Sequence, residues 1–64
     1  MADFYREVTK LLRQHHFKQI PGGKGSHEKW FNDISEETVI VPRNLKNRYT
    51  ANGILKSAGI KKKL

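Results

Sequence analysis

The chain has 64 residues, 13 lysines and arginines against six aspartates and glutamates, a net charge of +7 at pH 7, and no cysteine. A domain of about 60 residues buries only about 60% of the surface of its unfolded chain, which excludes a deep substrate cavity or a large cofactor. The lack of cysteine excludes disulfides and thiolate metal sites. We therefore expect one domain over residues 1–64 whose surface binds polyanions, with nucleic acid or an acidic protein ahead of anionic lipid.

The sequence carries no signal for secretion or membrane insertion. Residues 1–7 mix acidic and basic side chains, whereas a signal peptide starts with a basic segment and continues with an apolar one. The longest apolar run is Val39–Val41, far short of the roughly 20 apolar residues that cross a bilayer. We expect a soluble, cytoplasmic protein that does not bind a membrane.

The surplus positive charge lies in the last third of the chain. Residues 1–41 hold six basic and six acidic side chains, which cancel. Residues 42–64 hold no acid and seven basic side chains, namely Arg43, Lys46, Arg48, Lys56, Lys61, Lys62 and Lys63. Residues 61–64 alone are typical of a solvated basic tail, but the whole set predicts a one-sided positive field that attracts phosphates before any contact forms.

The chain starts with a pattern that predicts a helix followed by a short strand. Four apolar side chains recur at helical spacing: Phe4, Val8, Leu11 and Leu12. They predict a helix at about residues 4–15, with Asp3 as its N-cap. We expect His15 and His16 to end it, one of them in a nearly left-handed conformation. The run Phe17–Ile20, bounded by a Pro-Gly-Gly turn, predicts the first strand.

Two further strands follow. The alternation in Ser26–Asn32 predicts a strand with an aromatic side chain on each face, so the sequence leaves open which face is buried. The β-branched run Thr38–Val41 predicts a strand that stops at Pro42, which has no N–H for a ladder. Three short strands in succession predict an antiparallel meander.

The last element is a second helix. Its apolar positions at helical spacing are Ala51, Ile54, Leu55 and Ala58. Asn47 is the expected N-cap. Gly59 is the expected left-handed residue beyond the helix end, with Ile60 closing on Leu55. Gly53 costs about 1 kcal/mol relative to alanine inside a helix, so it indicates either a close packing contact or a tolerated weakness.

The order of these elements predicts an α+β fold. The order is α-β-β-β-α, and neither helix can bury its apolar stripe except on the sheet. We therefore expect a three-stranded antiparallel sheet with both helices on one face and the other face open.

The segment 21–26, Pro-Gly-Gly-Lys-Gly-Ser, does not form a Walker phosphate loop. That loop needs Gly-Lys followed directly by Ser or Thr and then a helix, whereas here Lys24 precedes Gly25 and a strand follows. The segment is a hairpin loop whose glycines and lysine still permit a nucleic-acid backbone to come close. The three histidines lack the spacing of a metal site, so we expect neither a metal nor a cofactor.

His27 is the candidate residue for chemistry. It follows the glycine loop, close to Lys24 and with Lys29 on its own strand face. In RNA the 2′-OH can attack the adjacent phosphodiester when a base takes its proton and the developing charge is stabilised. Imidazole exchanges protons near neutral pH, and one or two ammonium groups would stabilise the charge. Judged by itself, a lone histidine of this kind is more often an ordinary exposed strand residue.

Three segments occur in the order and at the separations found in a known family: Gly25-Ser26-His27 opening a strand, Val39–Pro42 ending one, and Ile54–Ile60 closing the last helix. In these segments, and over nearly its whole length, the chain resembles the HicA, or YcfA-like, toxins of bacterial type II toxin–antitoxin modules. The resemblance implies a fold like that of double-stranded-RNA-binding domains.

For function, the resemblance implies an mRNA interferase. Such a protein is a ribosome-independent, metal-free endoribonuclease, whose catalytic histidine matches His27, and a HicB-type antitoxin covers its site. We expect RNA contacts from Lys24, Gly25, Ser26, Lys29, Arg43, Lys46 and Arg48. Related sequences carry glycine in place of His16 and histidine in the stretches of Arg43 or Tyr49, which leaves His27 without an evident second acid–base group.

Two other interpretations remain open. The fold and charge would equally serve a non-catalytic RNA-binding module, which binds RNA without forming products. The basic face would also suit a small interaction protein that docks only an acidic partner. Binding in a salt titration does not separate a nuclease from an RNA-binding module, because both lose affinity steeply with salt.

Overall fold

The chain folds as two helices and three strands in the predicted order. The computed structural model describes residues 3–64; Met1 and Ala2, which the predicted domain includes, lie outside the described residues. The elements are α1 (Tyr5–Gln14), β1 (Phe17–Ile20), β2 (His27–Asn32), β3 (Glu37–Pro42) and α2 (Arg48–Ser57). Neither of the described helices has the length and apolar character needed to cross a bilayer. The predicted α+β class is confirmed.

The three strands form one antiparallel sheet in the order β1-β2-β3. Ile20 of β1 pairs with Lys29 of β2. His27, the first residue of β2, pairs with Pro42, the last residue of β3. β3 therefore includes the proline that the sequence places just beyond it, at a strand end where a missing N–H costs little.

The face of the sheet that carries Glu28, Trp30 and Asn32 is the buried one. These three side chains are buried, whereas His27 is exposed and Lys29 is half-buried. α1 packs against β1, α2 packs against β3, and the helices contact each other, so both lie on this face. The apolar core between them consists of Val8, Leu11, Leu12, Phe17, Trp30, Val39, Val41, Leu45, Ala51, Leu55, Ala58 and Ile60. The opposite face of the sheet is open, as predicted.

The two ends of α1 differ slightly from the prediction. The N-cap position is Phe4, which has a nearly helical backbone and makes no cap bond because its side chain has no hydrogen-bond acceptor. The Asp3 carboxylate nevertheless accepts a hydrogen bond from the Tyr5 N–H at 3.1 Å. At the other end His15 is the C-cap, and His16 has a φ of +73°, the left-handed conformation expected for one of the two histidines.

Both ends of α2 are closed as the sequence predicts. The Asn47 side chain accepts hydrogen bonds from the N–H groups of the second and third helical residues at 2.8 and 3.2 Å. Gly59 has a φ of +76°, and the Ile60 N–H donates to the Leu55 carbonyl at 2.9 Å, which is a Schellman ending. A Cβ on Gly53 would meet no atom within 4 Å, so this glycine is a tolerated weakness and not a packing requirement.

Residues 61–64 fold back onto α2. The Leu64 N–H donates to Asn52 Oδ1 at 2.8 Å, and the half-buried Leu64 packs against the core. Lys61, Lys62 and Lys63 are exposed, as expected of a basic tail. Because the segment is attached at its end, its three charges stay beside α2 and do not extend away from the domain.

Candidate active site

A cavity of about 370 Å³ opens at one end of the sheet, where the β1–β2 loop meets the first residue of α1. Its lining includes Tyr5, Gly22, Gly23, Gly25, His27, Glu28, Lys29 and Arg43. The lining therefore combines the glycine loop, the candidate catalytic histidine, two cations and one carboxylate. These side chains come from α1, β2 and the segment after β3, so the fold is required to bring them together.

The backbone around His27 is fixed while its side chain stays accessible. The His27 N–H donates to the Lys24 carbonyl at 3.0 Å. One residue beyond the pairing of His27 with Pro42, the Arg43 N–H donates to the Ser26 carbonyl at 2.8 Å. His27 is exposed, so a polynucleotide can reach it. An accessible imidazole on a fixed backbone is available for acid–base chemistry at the surface.

The glycine loop packs directly on the backbone of His27. A Cβ on Gly23 would overlap the His27 carbonyl oxygen, so only glycine fits at this position. Gly22 and Gly25 have φ values of +120° and +58°. A Cβ on Gly22 would lie 3.5 Å from Lys29 Nζ, which shows that the Lys29 ammonium group lies over the loop. The loop thus packs on the backbone of the histidine and lies close to a cation.

Glu28 is the buried acid of this region, and three side chains surround its carboxylate. Oε1 accepts hydrogen bonds from the Tyr5 hydroxyl at 2.6 Å and from Trp30 Nε1 at 3.2 Å. Oε2 lies 3.1 Å from Nε of Arg43. The Glu28 side chain is 8% exposed and that of Arg43 is 69% exposed. A carboxylate buried to this extent requires such partners.

The same cluster affects the titration of Tyr5. Burial raises the pKa of the Tyr5 hydroxyl, and its hydrogen bond to Glu28 and the negative charge of that carboxylate raise it further. Arg43 acts in the opposite direction but is outweighed. Tyr5 therefore stays a neutral hydrogen-bond donor to Glu28 at physiological pH.

Five of the seven residues predicted to contact RNA lie at the cavity or in its loop: Lys24, Gly25, Ser26, Lys29 and Arg43. The other two, Lys46 and Arg48, lie elsewhere, at the start of α2 around a separate hollow that Phe4 and Tyr49 also line. Contacts from these two residues would belong to a second surface. That surface is basic but lies outside the lining of the His27 cavity.

The remaining histidines lie at the far end of α1. His15 and His16 follow its last turn, whereas Tyr5 at its first residue lines the cavity. Within residues 3–64 no group of three or more histidine or carboxylate side chains is arranged to hold a metal ion.

Sequence reasoning missed Tyr5 and Glu28 as members of the site. The signal for Glu28 was present in the strand alternation, which places it on the same face as Trp30 and opposite His27. Once that face is known to be buried, the carboxylate must find donors. No local pattern indicates that Tyr5, 23 residues away, supplies one of them.

The fold and the cavity describe a small α+β protein with an accessible histidine beside two cations. Residues 5–60 match the family described as HicA toxin of bacterial toxin-antitoxin. The chain therefore belongs to the HicA toxin family of toxin–antitoxin systems, which confirms the resemblance seen in the sequence.

A solved structure described as a toxin–antitoxin complex from Streptococcus pneumoniae contains a similar chain. The two chains are 38% identical with a TM-score of 0.75, and the similarity covers 86% of this chain and 93% of the other. The chain thus spans nearly the whole length of that relative. A comparison with curated proteins finds no match.

Proposed function

We propose that this HicA family member is a metal-independent endoribonuclease that cleaves mRNA with His27 as its catalytic residue. The observation that carries the proposal is the position of His27, exposed on a fixed backbone in the lining of a cavity that also contains Lys29 and Arg43. An imidazole and two cations in one accessible cavity are the groups that RNA cleavage by internal attack needs.

In the proposed reaction the substrate provides its own nucleophile. The neutral His27 imidazole accepts the proton of the 2′-OH as the 2′-oxygen forms a bond to phosphorus. Lys29 and Arg43 stabilise the negative charge that develops on the phosphoryl oxygens. The bond to the 5′-oxygen then breaks, this oxygen takes a proton from the solvent that reaches the site, and a 2′,3′-cyclic phosphate remains. Because the 2′-OH is the nucleophile, no metal-activated water is needed.

An antitoxin is the proposed protein partner, and we propose that it is of the HicB type. The family and the related structure, described as a toxin–antitoxin complex, support a partner of this kind. The seven basic side chains of residues 42–64, with no acid among them, favour an acidic surface on that partner. A protein that covered the cavity would exclude RNA from His27. We expect the protein to act in the cytoplasm, where its mRNA substrate is found.

The proposal is tested by incubating the purified protein with RNA in the presence of EDTA. Wild-type protein should cleave the RNA, and His27→Ala should reduce the rate by about 10²-fold or more, because general acid–base catalysis contributes roughly 10²–10⁴-fold. His15→Ala is the matched control, since His15 is also exposed but lies at the end of α1. It should cleave at the wild-type rate.

Two results would contradict the proposal. Undiminished cleavage by a folded His27→Ala variant would remove this residue from the mechanism. Tight RNA binding by the wild-type protein without any product would favour the non-catalytic RNA-binding module instead. Circular dichroism of both variants checks that the substitutions leave the fold intact.

A further inference from the structure

Glu28 is a buried carboxylate that the proposed reaction does not use, although it is the residue next to His27. Its three side-chain partners come from α1, from β2 and from the segment after β3. One partner of its ion pair is buried and the other is at the surface, since the Glu28 side chain is 8% exposed and the Arg43 side chain is 69% exposed. The pair therefore connects the buried side of the sheet to the cavity that Arg43 lines.

Arg43 is anchored to both chain neighbours of His27. Its backbone N–H donates to the Ser26 carbonyl at 2.8 Å, and its Nε lies 3.1 Å from Glu28 Oε2. Its side chain is still 69% exposed and lines the cavity. The arginine is thus held in place at its backbone and at its Nε, and it remains accessible to a ligand.

The way in which Glu28 holds Arg43 leaves most of the guanidinium available. A guanidinium has five N–H donors in one plane, and the ion pair with Glu28 involves Nε, which carries one of them. The ion pair at Nε restrains the guanidinium and does not involve the two terminal nitrogens, which suit a phosphate group that accepts two hydrogen bonds. A side chain ordered before binding also loses less conformational entropy when the ligand arrives.

Tyr5 and Trp30 contribute by fixing the carboxylate itself. Both donate to Oε1 of Glu28, at 2.6 and 3.2 Å, so Oε2 is the oxygen left for the arginine. Tyr5 is the first residue of α1, and Trp30 lies in the middle of β2. The orientation of the carboxylate is therefore set by two packed elements.

We infer that Glu28 is a positioning residue, which orients the Arg43 guanidinium so that its terminal nitrogens bind the reacting phosphate beside His27. This inference rests on the proposed function for the identity of that phosphate. Arg43, paired with the buried Glu28, is then the charged group that acts on the phosphate together with His27. The site then needs no second histidine to stabilise the transition state, because the arginine supplies a fixed positive charge.

The test is a double-mutant cycle on Glu28→Gln and Arg43→Ala, measured as single-turnover cleavage of an RNA oligonucleotide. Glutamine keeps an oxygen that can accept from Tyr5 and Trp30, but it loses the charge that holds the guanidinium. We expect Arg43→Ala to lower the rate about 10²-fold and Glu28→Gln about tenfold. The double variant should be no slower than Arg43→Ala alone, because Glu28 acts through the arginine.

Glu37→Gln serves as the matched control. Glu37 is exposed at the opposite end of β3, and its substitution makes the same change in net charge. It should leave the cleavage rate unchanged. The positioning role is wrong if Glu28→Gln lowers the cleavage rate by the same factor with and without Arg43. It is also wrong if Glu28→Gln leaves the cleavage rate of a folded protein unchanged.

Two readouts do not depend on cleavage. In the free protein, NMR should show an Arg43 Nε–H protected from solvent exchange, and Glu28→Gln should remove that protection. With a 2′-O-methyl RNA that cannot be cleaved, Arg43→Ala should reduce the slope of log affinity against log salt by about 0.7, the value for one lost contact to a single strand, whereas Glu28→Gln, which keeps the arginine, should reduce it less.

These readouts separate the two proposals. If the protein binds the 2′-O-methyl RNA and the slopes fall as expected, but natural RNA is not cleaved, the proposed function fails while the positioning of Arg43 on a phosphate stands. An unprotected Nε–H in the wild-type protein, or a salt slope that Arg43→Ala does not change, overturns the positioning role whether or not the protein is a nuclease.

Discussion

The chain has two basic regions, and they differ in how their cations are held. At the cavity, Lys29 lies over the glycine loop and Arg43 is paired with a buried carboxylate. Just before α2, on α2 and in the tail, the cations are exposed and have no acid near them in the sequence: Lys46, Arg48, Lys56, Lys61, Lys62 and Lys63. Among the described residues, the ion pairs join Lys18 to Asp33 and Arg43 to Glu28, and neither involves α2 or the tail.

This difference indicates that the cations of the two regions have different functions. A cation with a fixed position stabilises charge that develops at one point, which is what a reacting phosphate requires. Exposed cations without a paired acid instead raise the concentration of a polyanion near the surface and contribute affinity that is lost in salt. We therefore expect substitutions at the cavity to affect the rate of cleavage and substitutions on α2 to affect binding.

Among substitutions that keep the charged and catalytic side chains of the cavity, the largest expected effect comes from Gly23→Ala. The new Cβ would overlap the His27 carbonyl oxygen, so the loop must move away from the strand. Overpacking of this kind costs about 1–3 kcal/mol. A displacement of about 1 Å at the reacting groups can lower the rate roughly 10²-fold. Thermal unfolding and a cleavage assay measure the two effects.

Gly25→Ala is the control for Gly23→Ala, because it changes the same loop without a clash. Gly25 has a φ of +58° and nothing within 4 Å of its Cβ position, so alanine is strained only by its backbone, at about 1–2 kcal/mol. We expect a loss of stability with a smaller loss of rate. Equal rates for wild type and Gly23→Ala would show that the loop does not position His27.

The arrangement of the elements could be predicted because the local signals agree with one another. Phe17–Ile20 is a strand with the predicted bounds, and Asn47 and Gly59 close α2 as expected. Which face of β2 is buried could not be predicted from its alternation, since Trp30 and Phe31 place an aromatic on each face. Packing of the helices on the Trp30 side decides it, and this is a tertiary effect.

The site could be predicted only in part for a similar reason. His27 and Lys29 belong to one short segment, so their proximity follows from strand geometry. The pairing of Glu28 with Arg43 joins β2 to the segment after β3, and the donor from Tyr5 joins the first helix to the sheet. Such contacts depend on register and on helix placement, which no local pattern in one sequence specifies.

An intermediate effect is expected from the double variant Lys46→Ala and Arg48→Ala, at the beginning of α2 and just before it. Removing two contacts to a single strand should reduce the salt slope by about 1.4 and the affinity roughly tenfold at low salt. The rate at saturating RNA should stay unchanged, because these residues lie around a different hollow from the one that His27 lines. Filter binding over a salt series and single-turnover cleavage measure the two quantities.

The charge-matched control for this pair is Arg6→Ala with Lys10→Ala, two exposed side chains of α1 in the part of the chain whose charges balance. This control should change the slope of log affinity against log salt less than Lys46→Ala with Arg48→Ala does. A fall in the saturated rate for Lys46→Ala with Arg48→Ala would contradict the division of work between the two regions, since it would place one of these cations on the reacting phosphate.

The smallest expected effect is a gain of stability from Gly53→Ala in α2. Alanine is more favourable than glycine in a helix by about 0.5–1 kcal/mol, and the added Cβ would meet no atom within 4 Å. For a domain of this size the melting temperature should rise by about 2–8 °C.

Gly59→Ala is the opposing control, because Gly59 has a φ of +76° and alanine there should destabilise the protein. Gly53 also lines a hollow together with Lys56 and the three lysines of the tail. If α2 only attracts RNA through exposed charge, Gly53→Ala should leave RNA affinity and the cleavage rate unchanged. A loss of affinity in this more stable variant would show that RNA enters the hollow and approaches the helix backbone. The second basic region would then be a shaped binding site and not only a source of positive charge.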